Sequence, residues 1–262
     1  MYIDKNIYRK SKLVEDSIQF YKNTKTPLMS VVEISDSGTC NRKCSFCPRS
    51  DPNFKDIKEF ISEKLHNKIF SELKSYNYSG MIIYSGYVEP LLNKNIYRNL
   101  SFARKCLPNS KIEVITNGDV LNLSRIKKLF NSGLSTLLIS VYDGPDDMIK
   151  FKKMVREAKL LPNQYVIRNR YMSEEDNFGL TISNRSGMLK NAEYKIPETS
   201  EPLKATCTYP AYTFFIDYNG DVQMCSHDWG KKYIIGNLNN ETIIDIWCNK
   251  KFDMARKNHL HG

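Results

Sequence analysis

The sequence contains three closely spaced thiols, Cys40, Cys44 and Cys47, within a stretch of eight residues. An odd number of cysteines at such short spacing does not suit a disulfide framework, whereas thiolates are the ligands that soft metals prefer. A structural zinc site is normally closed by a fourth ligand. Three thiolates on a cluster of four irons leave one iron open to a ligand that is not protein. The spacing therefore favours such an iron–sulfur cluster over the alternatives, a zinc knuckle or three unrelated thiols.

The cysteines directly follow an apolar run rich in β-branched residues, which predicts a buried strand. After this strand, short apolar runs alternate along the sequence with segments whose apolar residues recur at helical spacing. The predicted strands are Leu28–Ser35, Met81–Tyr84, Lys111–Thr116, Thr136–Val141 and Gln164–Arg170, with a sixth near Leu180–Ser183. The predicted helices between them are Ser62–Ser75, Asn93–Cys106, Ser124–Asn131 and Asp146–Lys159. This alternation predicts right-handed βαβ units and hence a parallel sheet or barrel.

Polar or glycine-containing segments follow four of these strands: Ser37–Pro48 with the cysteines, Tyr84–Pro90, Thr116–Asp119 and Ser140–Gly144. Parallel sheets and barrels bind their ligands at the carboxyl ends of the strands. We therefore expect these four segments to meet at one mouth and to form the functional site.

The pattern changes after about residue 190, where Tyr212–Asp217 and Val222–Cys225 flank the dipeptide Asn219-Gly220. Asn-Gly between two β-runs is the strongest short-range signal for a hairpin, and Asn240–Asn249 then predicts a helix. We divide the chain into an N-terminal extension with an amphipathic helix, a main domain and a small module of a hairpin plus a helix, which span 1–26, 27–190 and 191–262.

The chain has 262 residues and a formal net charge of +10. Its basic residues are scattered, which indicates a dispersed surface charge and argues against a nucleic-acid partner, with an anionic partner as the alternative. No apolar run reaches the roughly 18 residues of a membrane helix, and the first residues lack the apolar segment of a signal peptide. We therefore expect a cytoplasmic protein without a membrane partner, whose cysteines are metal ligands or catalytic groups rather than halves of disulfides.

The segment Cys40-x-x-x-Cys44-x-Phe46-Cys47 resembles the signature of the radical S-adenosylmethionine (radical SAM) enzymes, in which an aromatic residue precedes the third cysteine. The resemblance extends over nearly the whole chain. It implies an α/β fold, a partial (β/α)6 TIM-like barrel of parallel strands with a small C-terminal module. It also implies a [4Fe-4S] cluster on the three cysteines and S-adenosyl-L-methionine (SAM) bound at the open iron, with Phe46 beside these cofactors.

Further segments are similar to the SAM-binding positions of this family. In Tyr87-Val88-Glu89-Pro90, Glu89 matches the glutamate of a Gly-Gly-Glu segment that binds the SAM amino group, while Val88 stands where glycine is usual. The resemblance assigns contacts with the ribose and carboxylate of SAM to Thr116, Asn117, Gly118 and Ser140.

The C-terminal module resembles the SPASM domain, or its shortened twitch form, which carries an auxiliary iron–sulfur cluster. The matching segments are Cys207-x-x-Pro210, Asp217-x-x-Gly220-x-Val222-x-x-Cys225, Gly236-Asn237 and Ile246-Trp247. The resemblance implies auxiliary-cluster ligands at Cys207 and Cys225. The Cys-x-x-Cys that completes the family's ligand set does not occur before Gly262. We expect either a truncated chain or a lost auxiliary cluster, with His259 and His261 as conceivable replacement ligands.

The run Leu180–Leu189 is similar to a segment of the aminocyclitol-oxidising members of the family, and Arg185 matches a residue that contacts the substrate and can accept a proton. The implied function is a radical SAM oxidoreductase that cleaves SAM reductively and abstracts a hydrogen atom from a sugar- or aminocyclitol-like alcohol, oxidising it. Without an auxiliary cluster, a redox-neutral outcome such as epimerisation or elimination is the alternative. Its partners would be a small-molecule substrate and an external electron donor such as flavodoxin or ferredoxin. The alternatives are a SPASM-type peptide- or protein-modifying maturase and a non-catalytic metal-binding protein.

Overall fold

The computed structural model of the chain describes residues 12, 19–22, 26–44, 47–170, 206–228 and 230–261. Four of the predictions from the sequence fall outside these residues. They concern the N-terminal amphipathic helix, the sixth strand near Leu180–Ser183, and the site residues Phe46 and Arg185.

Strands and helices alternate along the main domain as predicted. The strands are β1 (Val31–Ser35), β2 (Met81–Tyr84), β3 (Ile112–Thr116), β4 (Thr136–Val141) and β5 (Tyr165–Asn169). The helices between them are α1 (Glu63–Ser75), α2 (Ile96–Cys106), α3 (Leu123–Asn131) and α4 (Pro145–Glu157). Side-chain caps define two of the helix starts, because the Ser62 hydroxyl accepts a hydrogen bond from the Leu65 N–H and the Asn122 side chain accepts one from the Arg125 N–H.

The C-terminal module contains more regular structure than its sequence predicts. Its described elements are α5 (Tyr209–Tyr212), β6 (Thr213–Asp217), β7 (Asp221–Gln223), β8 (Ile234–Asn237), α6 (Ile243–Trp247) and α7 (Lys250–His261). The predicted hairpin is confirmed as β6 and β7, while the helix predicted over Asn240–Asn249 begins only at Ile243, after its cap Thr242. The sequence does not single out α7, because few of its residues, such as Phe252 and Ala255, are apolar and buried.

The eight strands of the described residues form one sheet in the order β5-β4-β3-β2-β1-β6-β7-β8. Strands β1 to β5 pair in parallel, and β6 also lies parallel to β1. The pairs β6–β7 and β7–β8 are antiparallel. The C-terminal module thus contributes the sixth parallel strand of the described sheet, which forms a partial barrel with a small antiparallel extension.

The two faces of the sheet differ because alternate residues of a strand point to opposite sides. Val32 and Ile34 of β1 are completely buried in the main core between the sheet and the helices. Val31 packs instead with Met81 and Ile83 in a small separate cluster on the inner face of the barrel. The side chains of a functional site can therefore project from the inner face into the interior of the barrel.

The indole of Trp247 anchors the C-terminal helices to the main domain. Its N–H donates to the Pro27 carbonyl at 2.8 Å, just before β1. The Arg256 guanidinium lies 3.9 Å from the Trp247 ring centre and 4.1 Å from the Phe252 ring centre. These contacts hold α6 and α7 against the start of the central strand.

Candidate active site

The cysteine loop leaves the carboxyl end of β1, where Cys40, Cys44 and Cys47 are all half-buried. Two N–H groups point at the Cys40 sulfur: the backbone N–H of Arg42 at 3.4 Å and the side-chain amide of Asn117 at 3.8 Å. Donors of this kind stabilise a thiolate and adjust the reduction potential of an iron–sulfur cluster.

Burial disfavours the free thiolate forms of Cys40 and Cys44, so a bound cation is needed to hold them deprotonated. Burial raises the pKa of Cys44 to about 12, and the neighbouring Cys47 thiol adds to this shift. Burial also raises the pKa of Cys40. Iron binds thiolates, and irons shared by the three sulfurs offset both the burial and the mutual repulsion. Among the described residues, no three His, Cys, Asp or Glu side chains converge on a point that would hold one metal ion. The assignment of Cys40, Cys44 and Cys47 as cluster ligands therefore rests on their type and spacing.

Contacts that the sequence does not reveal tie the cysteine loop to two further strand ends. The Arg42 guanidinium donates to both carboxylate oxygens of Asp119, at 2.7 and 2.5 Å, and to both oxygens of Asp143, at 2.8 and 2.5 Å. Asn41 donates to Asp119 at 2.6 Å and accepts from the Asn117 amide at 2.9 Å. Because bidentate pairs are geometrically specific, Arg42 fixes the loop against the ends of β3 and β4. The signal in the sequence is an aspartate just after each of these strands.

Glu89 is only 1% exposed and is surrounded by hydrogen-bond donors. Its carboxylate accepts from the Thr116 hydroxyl at 2.7 Å, the Asn117 backbone N–H at 2.8 Å and the Leu91 backbone N–H at 3.0 Å. Its own backbone N–H donates to the Thr39 carbonyl at 3.1 Å. Burial raises the pKa of Glu89 in spite of these bonds. The structure therefore brings three predicted site residues together, and Glu89 joins the segments that follow β1, β2 and β3.

Gly118 and Ser140 lie at neighbouring strand ends. Gly118 has a φ of +80°, and a Cβ atom there would lie 2.4 Å from the Phe151 ring, so that only glycine suits this turn. The Ser140 hydroxyl accepts a hydrogen bond at 2.9 Å from Arg168, its direct partner in the register of β4 and β5. The sequence analysis does not identify Arg168 as a site residue. The available signal was an arginine in a strand predicted to lie next to β4, which carries the predicted SAM contact Ser140.

The inner face of the barrel also carries a carboxylate that the sequence analysis does not identify. Glu33, in the middle of β1, accepts hydrogen bonds from the Tyr209 hydroxyl at 2.7 Å and from the Ser85 hydroxyl. Burial raises the pKa of Tyr209 well above its usual value, so this side chain remains a hydroxyl donor. Because Tyr209 lies in α5, this contact links the barrel interior to the C-terminal module.

A buried carboxyl group precedes the cysteine loop. One oxygen of Asp36 accepts from the Asn93 amide at 2.9 Å, and the other has no hydrogen-bond partner within the described ranges. Burial, reinforced by the charge of Glu89, raises the pKa of Asp36 from 3.8 to about 7. Between these pH values the folded protein keeps a proton on Asp36 that the unfolded chain releases.

Replacement of Asp36 by asparagine is expected to flatten the pH dependence of stability. The wild type is stabilised by the protonated carboxyl at low pH and loses this contribution as the pH rises from 3.8 towards about 7. At about 1.4 kcal/mol per unit, the wild type should lose roughly 2 kcal/mol more than Asp36→Asn between pH 5 and pH 7, as measured by anaerobic urea unfolding. Asp253→Asn, at a half-exposed position on α7, should keep the wild-type dependence. An unchanged slope in Asp36→Asn would mean that Asp36 is ionised in the folded protein.

The predicted ligands of the auxiliary cluster, Cys207 and Cys225, lie close enough for their thiols to interact electrostatically. Burial raises the pKa of Cys225 to about 11, and the Cys207 thiol contributes to the shift. The backbone N–H of Cys207 donates to the His259 carbonyl at 2.9 Å, which brings the carboxyl end of α7 to this pair. Cys248 is exposed at the end of α6. A cubane takes four ligands in its usual form, so Cys207 and Cys225 supply half of an auxiliary ligand set.

Two family profiles match this chain. The Radical SAM superfamily profile matches residues 34–176. The SPASM profile, described as an iron-sulfur cluster-binding domain, matches residues 207–261. The first range contains the cysteine loop and all predicted SAM contacts, and the second contains Cys207 and Cys225. In the part of the chain that the structure describes, no helix has the length and apolar character needed to cross a membrane.

Individual proteins match over most of their lengths. The S-adenosyl-L-methionine-dependent 2-deoxy-scyllo-inosamine dehydrogenase of Niallia circulans is 29% identical over 230 residues, which cover 88% of this chain and 86% of that enzyme. The crystal structure of BtrN in complex with AdoMet and 2-DOIA has a TM-score of 0.75 and 27% identity, covering 90% of this chain and 89% of BtrN. Streptococcus suis SuiB, crystallised with its precursor peptide SuiA, has a TM-score of 0.62 and 17% identity, covering 96% of this chain and 70% of SuiB. At that identity the likeness to SuiB concerns the fold alone.

Proposed function

Because the chain belongs to the radical SAM superfamily, we propose that it oxidises a hydroxyl group of an aminocyclitol, with 2-deoxy-scyllo-inosamine as the first compound to test. The observation that carries this proposal is the similarity to the Niallia circulans dehydrogenase, which spans 88% of this chain and 86% of that enzyme. No observation favours a peptide-modifying maturase or a non-catalytic metal-binding protein in its place.

The protein is an oxidoreductase that depends on an iron–sulfur cluster and on SAM. When bound, these cofactors supply one electron and a carbon-centred radical that takes a hydrogen atom from the substrate. The residues of the protein contribute by binding and positioning the cofactors and the substrate and by excluding water. We assign cluster binding to Cys40, Cys44 and Cys47, with Phe46 as the aromatic residue beside them.

The residues at the strand ends suit the polar groups of SAM. The Ser140 hydroxyl and the Arg168 guanidinium form a donor pair for its carboxylate. The Glu89 carboxylate suits its amino group and also holds Thr116 and Asn117 in position. We assign the ribose contact to the backbone at Gly118, because the positive φ of this glycine and its close packing against Phe151 fix the turn after β3.

Oxidation of an alcohol carbon removes a hydrogen atom first, and then a proton and one further electron. The Glu33 carboxylate, held by Tyr209 and Ser85 on the inner face, is a suitable proton acceptor. A guanidinium stays protonated in proteins, so we assign Arg185 to contact with the substrate oxygen rather than to proton transfer.

The reaction requires an electron donor at its start and an electron acceptor at its end. An external donor such as flavodoxin or ferredoxin would provide the first electron. An auxiliary iron–sulfur cluster at Cys207 and Cys225 would supply an acceptor for the electron that the substrate releases. The proximity of these two cysteines to each other and of Tyr209 to Glu33 supports this assignment.

Anaerobic reconstitution followed by reduction with dithionite tests the proposal. With 2-deoxy-scyllo-inosamine deuterated at the carbon to be oxidised, we expect methionine, 5′-deoxyadenosine that carries deuterium, and a ketone product in equal amounts. About four irons per chain would indicate one cluster, and about eight would indicate an auxiliary cluster as well. Cleavage of SAM without deuterium transfer would refute the substrate class, and zinc content without SAM cleavage would refute the radical chemistry.

A further inference from the structure

A cavity of about 360 Å³ opens between the cysteine loop and the C-terminal hairpin. Gly38 and Arg49 line it from the loop side, Tyr87 from the segment after β2, and Asp217 and Gln223 from the hairpin. Ligand-binding clefts have volumes of about 300–1,000 Å³, with mostly apolar walls and a small number of polar groups. The cavity has a volume in this range, has several polar residues among its walls, and lies at the same strand ends as the cysteine loop.

Several polar groups around the cavity already have partners. The Arg49 guanidinium donates to the Tyr87 carbonyl and to the Asp56 carboxylate. The Asp217 carboxylate pairs with the Lys231 ammonium at 2.5 Å. These groups hold the walls in place, and the ion pair leaves the hairpin side of the cavity nearly neutral.

Gln223 differs from these residues. It is 1% exposed, and its side-chain oxygen has no hydrogen-bond partner among the residues that the structure describes. Buried amide oxygens in folded proteins nearly always have a partner. Gln223 lies opposite Phe215 in the register of β6 and β7, and Phe215 lies opposite Glu33 in the register of β1 and β6. Because residues opposite each other share a face of the sheet, Gln223 and Glu33 lie on the same inner face, two strands apart.

We propose that Gln223 is a specificity-determining residue whose side-chain amide hydrogen-bonds a ring hydroxyl of a small polyhydroxylated substrate in this cavity. An amide can both accept from and donate to a hydroxyl, which suits a cyclitol ring. Because Lys231 neutralises Asp217, this wall offers no net negative charge, and the amine of an aminocyclitol lies elsewhere. The inference rests on the proposed function, since it concerns the substrate of that reaction.

The variant Gln223→Leu keeps the approximate size of the side chain and removes its hydrogen bonds. It is expected to raise KM for the aminocyclitol by about 10-fold with little change in kcat. Iron content and substrate-independent SAM cleavage should match the wild type. The substitution removes an unpaired buried polar atom, so the midpoint of urea unfolding should be equal to or higher than that of the wild type. Gln164→Leu, the same change in the turn before β5, should leave KM unchanged.

A panel of monodeoxy analogues of the aminocyclitol sharpens this test. A site that hydrogen-bonds a hydroxyl rejects the analogue without it, because the polar group of the site is then left unpaired. The wild type should therefore disfavour one analogue, and Gln223→Leu should lose that preference. If KM and the preference are both unchanged in the variant, the assignment of Gln223 is wrong while the proposed function stands.

Calorimetric titration of the same aminocyclitol into SAM-loaded enzyme, without reductant, distinguishes the two ways of failing. Binding that is weakened about 10-fold in Gln223→Leu, combined with no oxidation by the wild type, would support the contact and refute the reaction. Absence of binding to the wild type would refute both proposals.

Discussion

A Cys40→Ala variant is expected to lose reductive SAM cleavage completely. The change removes one of the three thiolates that the loop after β1 provides, and two thiolates do not retain a cubane with one open iron. After anaerobic reconstitution, the variant should contain about four irons per chain fewer than the wild type. The measurements are iron and sulfide content, the visible absorbance of the cluster, and the yield of methionine and 5′-deoxyadenosine under dithionite.

Cys248→Ala is the matched control for this experiment, because Cys248 is exposed at the end of α6 and belongs to neither cysteine group. The control should retain iron content and SAM cleavage at wild-type levels. Retained cleavage in Cys40→Ala would instead remove the first cluster from the mechanism, and loss in both variants would point to a general effect of cysteine removal on reconstitution.

Replacement of Glu89 by alanine is expected to weaken both the fold and SAM binding. The change leaves the Thr116 hydroxyl and the backbone N–H groups of Asn117 and Leu91 without their acceptor. An unpaired buried donor costs about 1–3 kcal/mol, so the free energy of unfolding should fall by about 3 kcal/mol or more. Glu89→Gln should cost less, because its amide oxygen can keep the bonds to Thr116 and Leu91 while its amide nitrogen faces the Asn117 N–H.

Anaerobic urea unfolding and calorimetric titration with SAM measure these two effects separately. Glu63→Gln is a suitable control, since Glu63 forms an exposed ion pair with Arg98 at 2.9 Å, and exposed pairs contribute about 0–1 kcal/mol. If Glu89→Gln binds SAM as tightly as the wild type does, Glu89 only positions the loops and makes no contact with the SAM amino group.

The parts of the site that could be predicted are those whose signal is local. The spacing of Cys40, Cys44 and Cys47 is visible in eight residues, and the alternation of strands and helices places the segments around Glu89, Thr116 and Ser140 at strand ends. The structure confirms this alternation and brings Glu89, Thr116 and Asn117 into contact. Their roles toward SAM stay predictions.

The remaining contacts depend on strand register and on long-range packing. Arg42 meets Asp119 and Asp143 across 77 and 101 positions of sequence, and Arg168 reaches Ser140 only because β4 and β5 pair in one particular register. The sequence of β7 alone does not indicate that Gln223 is buried or that it faces the interior of the barrel. Its burial and its position on the inner face follow from the parallel pairing of β6 with β1.

Ligand chemistry and fold class can therefore be predicted from the sequence, because they arise from residue type, short spacing and hydrophobic periodicity. The way in which the cysteine loop is held, the partners of Glu89 and the polar inner face formed by Glu33 and Gln223 belong to the folded state alone. The physical reason is that hydrogen bonds and ion pairs require atoms within about 3 Å of one another. Only the packing of β1 to β8 and the helices brings such distant residues that close.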